Sequence, residues 1–246
     1  MKLIITGASG FVATELLRQS LRHPSITSVV AISRRPVPQP TGLPANELGK
    51  LRVVQVKDYG ELDVEQVREA AAGAGGCIWT VAVTPSKQGS MPFAEVKKIC
   101  QDDALAGLNV LSTASGSSNH GNGKPFRFIY MSGVAAERDQ SKKPWFKPEY
   151  TLMRGKAETE VLAYAANSAG KVECAVAKPG LIQSPGWSMK RLVAPLLWLY
   201  ASLPTVEVGD CAAAILASVV DGLGVETMEN ADLVRMGREA SRAGRG

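Results

Sequence analysis

The chain has 246 residues, 45% of them hydrophobic and 21% charged, with a formal net charge of +5. Length and composition fit a soluble globular enzyme with one sizeable core, or a core and a small appendage. Two histidines, His23 and His120, and four widely spaced cysteines without a CxxC pair, Cys77, Cys100, Cys174 and Cys211, weigh against a metal centre, a serine-histidine triad or a disulfide framework, so no metal site is assigned and buried free thiols are expected.

The chain opens with Met1-Lys-Leu-Ile-Ile-Thr-Gly7-Ala-Ser-Gly10-Phe-Val-Ala13, which reads as a buried strand running into a glycine turn and then a helix. Gly7 permits the tight turn, Gly10 lets the backbone approach a pyrophosphate, and Ala13 stands where helix-to-strand packing needs a small side chain. The pattern predicts a dinucleotide site, with Gly7, Ser9, Gly10, Phe11 and Val12 around the phosphates and the free N–H groups of the helix receiving their charge. The apolar run Lys2 to Thr6 is too short for a secretion signal, which makes the cytoplasm the expected compartment.

Strand-like and helix-like segments then alternate as in βαβ units, predicting an α/β, Rossmann-like doubly wound parallel sheet. Thr27 to Ser33 reads as the second strand and Leu51 to Val56 as the third, joined by a proline-rich surface loop, Pro36 to Pro44. In such sheets an acidic residue at the end of the second strand takes the adenosine ribose, whereas an arginine pairs with a 2′-phosphate. Here the residues are Ser33-Arg34-Arg35 with no nearby carboxylate, so NADP(H) is favoured over NAD(H), with Arg34 and Arg35 as its phosphate ligands. Strand order places Asp58 and Tyr59, after the third strand, at the adenine.

Leu62 to Ala72 is a helical candidate, Gly76 to Val83 the fourth strand, Phe93 to Leu111 a longer helix and Phe126 to Ser132 the fifth strand. Thr80, Val81 and Ala82 would line the nicotinamide half. Ser112 to Gly123 is a Ser-, Gly- and Asn-rich loop that carries His120. Glu149 to Ala169 forms a further helix, Val172 to Lys178 a sixth strand and Gly209 to Val220 a late helix. At the helix start, Tyr150 and Arg154, four residues apart and about 40° apart around the axis, share a face, while Lys156 is turned roughly 240° away. Ser132, ending a strand on the ligand side of the sheet, is placed to meet a substrate.

These residues together resemble the short-chain dehydrogenase/reductase superfamily, in its atypical or extended branch related to nucleotide-sugar epimerases. The likeness spans nearly the whole chain. TGASGFVA is similar to that branch's TGxxGxxA/G start, Ser132 to its serine after the fifth strand, and Tyr150 with Ala157-Glu158 to its YxxxKxxAE helix. Ala177-Lys178-Pro179-Gly180 looks like the RPG turn, which adds Pro179, Gly180, Leu181 and Ile182 to the cofactor side. Val206-Glu-Val-Gly-Asp210 and the alanines after it resemble a late helix entry. The resemblance implies Ser132, Tyr150 and Arg154 as catalytic residues, Tyr150 as the general acid and Ser132 holding the reacting oxygen. One departure stands out: the family's lysine, four residues after the tyrosine, is Arg154, whose planar fork needs a different geometry.

Only Leu181 to about Met228 lies beyond the sixth strand, so residues 1–228 are expected as one domain with a small substrate lobe at 181–228. The apolar stretch Ser188 to Leu203, interrupted by Pro195, is too short to span a bilayer about 30 Å thick and reads first as core or pocket wall. The loop Lys142 to Pro148, with Trp145 and Phe146, is either a lid or an ordinary surface loop. Arg235, Arg238, Arg242 and Arg245 against Glu239 concentrate the positive charge in a C-terminal segment (residues 229–246) expected to be flexible toward its end, which argues against nucleic-acid binding. Three functions follow: an NADP(H)-dependent oxidoreductase acting on a carbonyl or alcohol of a small, fairly apolar molecule; a redox-neutral epimerase, isomerase or cyclase; or a non-catalytic NADP-binding regulator or assembly factor. The expected partner is a small-molecule substrate, with no transmembrane span, and the resemblance adds a homodimer formed through the helices flanking the sheet.

Overall fold

The computed structural model describes residues 1–116, 124–184 and 203–243. His120, Arg245 and all but the last residue of the apolar stretch Ser188 to Leu203 lie outside the described residues.

In chain order the elements are β1 (Lys2–Thr6), α1 (Phe11–Arg22), β2 (Ser28–Ser33), α2 (Ala45–Leu48), β3 (Leu51–Gln55), α3 (Glu65–Ala71) and β4 (Ala74–Trp79). A second half follows with α4 (Phe93–Lys97), a π-helical segment (Lys98–Asp102), α5 (Asp103–Ala114), β5 (Phe126–Met131), α6 (Pro148–Ala166) and β6 (Val172–Lys178). The chain then forms β7 (Leu181–Gln183), β8 (Thr205–Glu207), α7 (Val208–Asp221), β9 (Thr227–Glu229) and α8 (Asn230–Ala243). Seven strands make one sheet in the order β3-β2-β1-β4-β5-β6-β9, every neighbouring pair parallel, and β7 and β8 make a separate parallel pair.

The strands form where β-branched and aromatic runs can be buried from both sides, the condition for an all-parallel sheet. Leu3, Ile5, Val29, Ala31, Ile129 and Ala175 point to one face, under Leu16, Leu17 and Leu21 of α1, Ile215 and Leu216 of α7 and Leu233 of α8. Ile4, Val30, Ile32, Trp79, Phe128 and Val176 point to the other, under Val67 of α3, Leu108 and Leu111 of α5 and Ala157 and Val161 of α6. The strand order reverses between β1 and β4, so the crevice that takes ligands in this architecture opens at the carboxyl ends of those two strands.

Several elements differ from the sequence expectation. The fourth strand ends at Trp79 rather than Val83, because Thr80 Oγ1 turns to the Thr6 carbonyl at 2.6 Å and the Val83 N–H goes to Cys100 Sγ at 3.2 Å, out of the ladder. The long helix is interrupted by the π-helical turn. The seventh strand, β9, is three residues long and leaves no alternation to read. Within the arginine-bearing C-terminal segment, Asn230 through Ala243 is helical, with Leu233 and Gly237 buried. A Cβ on Gly237 would stand 2.1 Å from the Asp210 carbonyl oxygen, so that glycine lets α8 close onto α7. The four cysteines are free and buried. Among the described residues, no helix is long and apolar enough to cross a membrane.

Candidate active site

In the turn after β1, Gly7 has φ +70°, and a Cβ there would lie 2.7 Å from Thr80 Oγ1, just past the end of β4, so the turn admits only glycine. Gly10 donates its N–H to the Gly7 carbonyl at 2.8 Å and caps α1 without a side-chain bond, and no acidic residue stands in the first turn. The helix end is left ready for an anion. Phe11 is 54% exposed at its rim and Val12 half-buried. Ser33 Oγ donates to Ser9 Oγ at 3.0 Å and accepts the Arg35 N–H at 3.2 Å, tying the turn to the end of β2.

At the end of β2, Arg34 and Arg35 are exposed, and among the described residues neither has an ion-pair partner. The Arg34 guanidinium lies over the Tyr59 ring, 5.5 Å from its centroid. Tyr59 is buried, its ring T-shaped against Trp79 at 5.9 Å. Burial raises its phenol pKa, opposed by the Arg34 and Gly7 backbone and the Ser33 hydroxyl around its oxygen. Asp58 accepts the Gly60 N–H at 2.9 Å and the Lys98 ammonium at 2.9 Å, which lower its pKa in that order. Lys98 also reaches the buried Asp103 at 2.9 Å. Sequence reasoning missed Lys98 and Asp103, since nothing in their local pattern announces the π-helical turn that presents them.

In the segment after β4, Thr80 is half-buried, Val81 buried and Ala82 exposed. Pro179 accepts the Val134 N–H at 3.1 Å, so the turn after β6 stands beside the one after β5. The Gly180 N–H is held by Asn230 Oδ1 at 2.8 Å, the Leu181 N–H by the Pro204 carbonyl at 2.9 Å, and Ile182 continues into β7.

Three polar side chains of α6, Tyr150, Arg154 and Glu158, form one stripe at four-residue spacing and meet the carboxyl ends of successive strands. Tyr150 donates its hydroxyl proton to the Val83 carbonyl at 2.8 Å, just past β4. Burial raises its pKa, and Arg154 pulls the other way. Arg154 is 3% exposed, donates from Nη2 to the Met131 carbonyl at 2.7 Å at the end of β5, and stacks over the Tyr130 ring at 4.9 Å. Among the described residues its Nη1 has no hydrogen-bond partner. Ser132 donates to Glu158 Oε1, whose carboxylate is fully buried and also accepts from Arg138 Nε at 2.8 Å and lies 3.4 Å from Lys178 Nζ. Glu158, Arg138 and Lys178 were not expected at the site, although the AE of the helix motif already contains the first of them.

Two open clefts flank this stripe. One of about 300 Å³ is lined by Tyr150, Glu149, Pro148, Lys147, Gln88 and Gly89, and one of about 350 Å³ by Val134 to Glu137, Lys142 to Pro144 and Thr151. The loop from Lys142 to Pro148 thus contributes to both. Lys147, at φ +40°, ties it to the segment after β4 through Nζ and the Pro85 carbonyl at 2.6 Å, while Trp145 stays 76% exposed.

No protein-family model matches the chain, and no curated protein matches it in sequence. The fold recurs in solved structures. MoeE5 in complex with UDP-glucuronic acid and NAD is 17% identical, with a TM-score of 0.65 over 92% of this chain and 74% of that one. UDP-glucuronic acid 4-epimerase from Bacillus cereus, in complex with UDP-glucuronic acid and NAD, is 14% identical, with a TM-score of 0.61 over 89% and 73%. Vestitone reductase from alfalfa, Medicago sativa, is 20% identical, with a TM-score of 0.64 over 93% and 76%. At these identities the likeness is one of fold.

Proposed function

Taking as premise that the chain has the fold of the extended short-chain dehydrogenases/reductases, we propose that it is an NADP(H)-dependent oxidoreductase interconverting a carbonyl and an alcohol on a small, fairly apolar molecule in the cytoplasm. The observation that carries the reading is the pairing of an uncapped α1 behind the Gly7 turn with Arg34, a cation at the end of β2 free of any carboxylate partner among the described residues. A nicotinamide dinucleotide would be held by Gly7, Ser9, Gly10, Phe11 and Val12 at the pyrophosphate, by Arg34 and Arg35 at the 2′-phosphate, and by Thr80 to Ala82 and Pro179 to Ile182 toward the nicotinamide. When bound, it would supply or take up the hydride.

The protein's own groups would handle the proton. In reduction, Tyr150 gives its hydroxyl proton to the carbonyl oxygen, which requires exchanging its bond to Val83 for one to the substrate. The guanidinium of Arg154, which an arginine keeps protonated, would steady the phenolate that remains. Ser132 already spends its only proton on Glu158 Oε1, so toward a ligand it offers lone pairs and would accept from a substrate hydroxyl. A Tyr150→Phe change should therefore abolish turnover while leaving NADPH binding intact.

A redox-neutral course on the same nucleotide is the second reading. It is favoured by the solved structures that share the fold, among them a UDP-glucuronic acid 4-epimerase and a dTDP-glucose 4,6-dehydratase. Net consumption of NADPH during turnover would exclude it. The nucleotide site itself is tested by calorimetric titration of wild type and Arg34→Ala with NADPH and NADH. The expected result is NADPH binding that weakens by about 1.4 kcal/mol or more, tenfold, without Arg34. Absence of binding by either nucleotide would leave the glycine turn a feature of the fold alone.

A further inference from the structure

An exposed arginine at a strand end is ordinarily a long, unordered side chain, and a phosphate must order it before the two can pair. Arg34 differs in having a fixed floor. Its guanidinium lies 5.5 Å from the centroid of the Tyr59 ring, within cation–π reach. That ring is itself immobilised: Tyr59 is 4% exposed and wedged edge-on against Trp79, which is fully buried in β4. The Arg34 backbone, the Ser33 side chain and the Gly7 backbone oppose the burial that raises its phenol pKa, so the hydroxyl lies toward the carboxyl ends of β1 and β2. These are the two sides of the place where the adenosine ribose sits in this architecture.

A competing anion is close by, and it is occupied. Asp58 precedes Tyr59 in sequence and would draw Arg34 down onto itself. Its carboxylate instead takes the Lys98 ammonium on both oxygens at 2.9 Å and the Gly60 N–H at 2.9 Å. Lys98 begins the π-helical segment and is anchored from behind by Asp103, which is 2% exposed.

We propose that Tyr59 is a positioning residue for recognition of the cofactor's 2′-phosphate, its ring the platform that holds the Arg34 guanidinium at the end of β2 while Lys98 keeps Asp58 from competing for it. The inference rests on the NADP(H) reading above. A planar guanidinium lying on a ring keeps its N–H edge outward in one plane, the geometry that two phosphate oxygens need. The ring does the holding, and the hydroxyl only seats the ring.

The test is titration of wild type, Tyr59→Leu, Tyr59→Phe and Arg34→Ala with NADPH and NADH, and with 2′,5′-ADP and 5′-AMP to isolate the adenosine half. Tyr59→Leu should weaken NADPH and 2′,5′-ADP by about threefold to tenfold, with NADH and 5′-AMP unchanged. Tyr59→Phe should keep the wild-type ratio of NADPH to NADH affinity. In an Arg34→Ala background, Tyr59→Leu should alter that ratio no further. Should the leucine variant not fold, Tyr59→Met, which also lacks the ring but has a longer side chain, carries the same expectation. Equal weakening of both nucleotides, or an unchanged ratio, overturns the proposal and leaves Tyr59 a core residue. A wild type that does not prefer NADPH overturns the NADP(H) reading and this inference with it, whereas a preference lost in Arg34→Ala but kept in Tyr59→Leu overturns the platform alone.

Discussion

Glu158 is the residue whose surroundings are least tolerant of change. It is fully buried, and its charge is balanced by Arg138 at 2.8 Å and Lys178 at 3.4 Å while it holds the Ser132 proton. Glu158→Gln keeps the shape but removes the charge, leaving the Lys178 ammonium, itself 9% exposed, without its counter-ion. The loss of one member of a buried ion pair costs about 3 kcal/mol or more, which urea unfolding would read directly. Adding Lys178→Met should restore part of that loss; a double variant as unstable as the sum of the singles would show that the two charges do not act on each other. Tyr150→Phe should cost only about 1 kcal/mol in the same assay, since it deletes one buried bond and the Val83 carbonyl retains the Cys100 thiol at 3.8 Å. At this scale the sequence singled out candidate side chains and not what they would touch. Tyr150 and Arg154 could be placed on one face from their spacing alone. Their partners could not be read, because Val83 stands 67 residues from Tyr150 and Ser132 26 from Glu158 in sequence, and such pairs are chosen by the fold. The arginines after β2 were legible for the opposite reason, since strand ends of a parallel sheet point at the crevice whatever lies around them.

Among the elements, α6 carries the site, and what lets it do so is a glycine. A Cβ on Gly155 would stand 1.7 Å from the Glu137 carbonyl oxygen and 2.6 Å from the Arg138 nitrogen, so the turn after β5 lies directly on the helix backbone. That contact sets Arg138 beside Glu158 and brings Ser132 within reach of it. Gly155→Ala is therefore expected to cost about 2 kcal/mol or more, from backbone that cannot yield, despite alanine being the better helix former. Thermal unfolding would detect it, and an unchanged or raised Tm would contradict the packing described. Gly107 plays the same part in α5, where a Cβ would come within 2.2 Å of the Trp79 ring. The regular elements were legible because buried strands and amphipathic helices write their period into the chain. The π-helical turn, β7, β8 and β9 were not, being either too short to show a period or indistinguishable from the α-helix that surrounds them.

For the molecule as a whole, burial has a pH signature. Tyr59, Tyr130 and Tyr150 have phenol pKa values raised chiefly by burial, and the Cys77 thiol is raised well above its ordinary value for the same reason, while those of Cys174 and Cys211 are pushed up to about 12. Groups whose folded pKa is raised contribute stability that is intact below their unfolded values, 9.0 for the thiols and 10.0 for the phenols, and lost as pH climbs toward the folded ones. Tm measured from neutral to alkaline pH should stay level on account of these groups until about pH 9 and then fall steadily. A thiol reagent should find the cysteines only in denaturant. Continued stability well above pH 10 would mean that these side chains are more open to water than the structure has them.

The order of the strands also governs how the chain can be made. β1 lies inside the sheet, third from its β3 edge, yet α1, which follows it, docks against α7, with Gln19 Nε2 bonded to the Gly209 carbonyl at 3.0 Å. The flank of the first helix that meets α7 therefore waits on the ribosome until a segment 190 residues further along has been synthesised. A nascent chain with a sticky helix exposed that long is a natural client for chaperones, and expression at lower temperature or with a holdase present should raise the yield of soluble protein more than any surface substitution would.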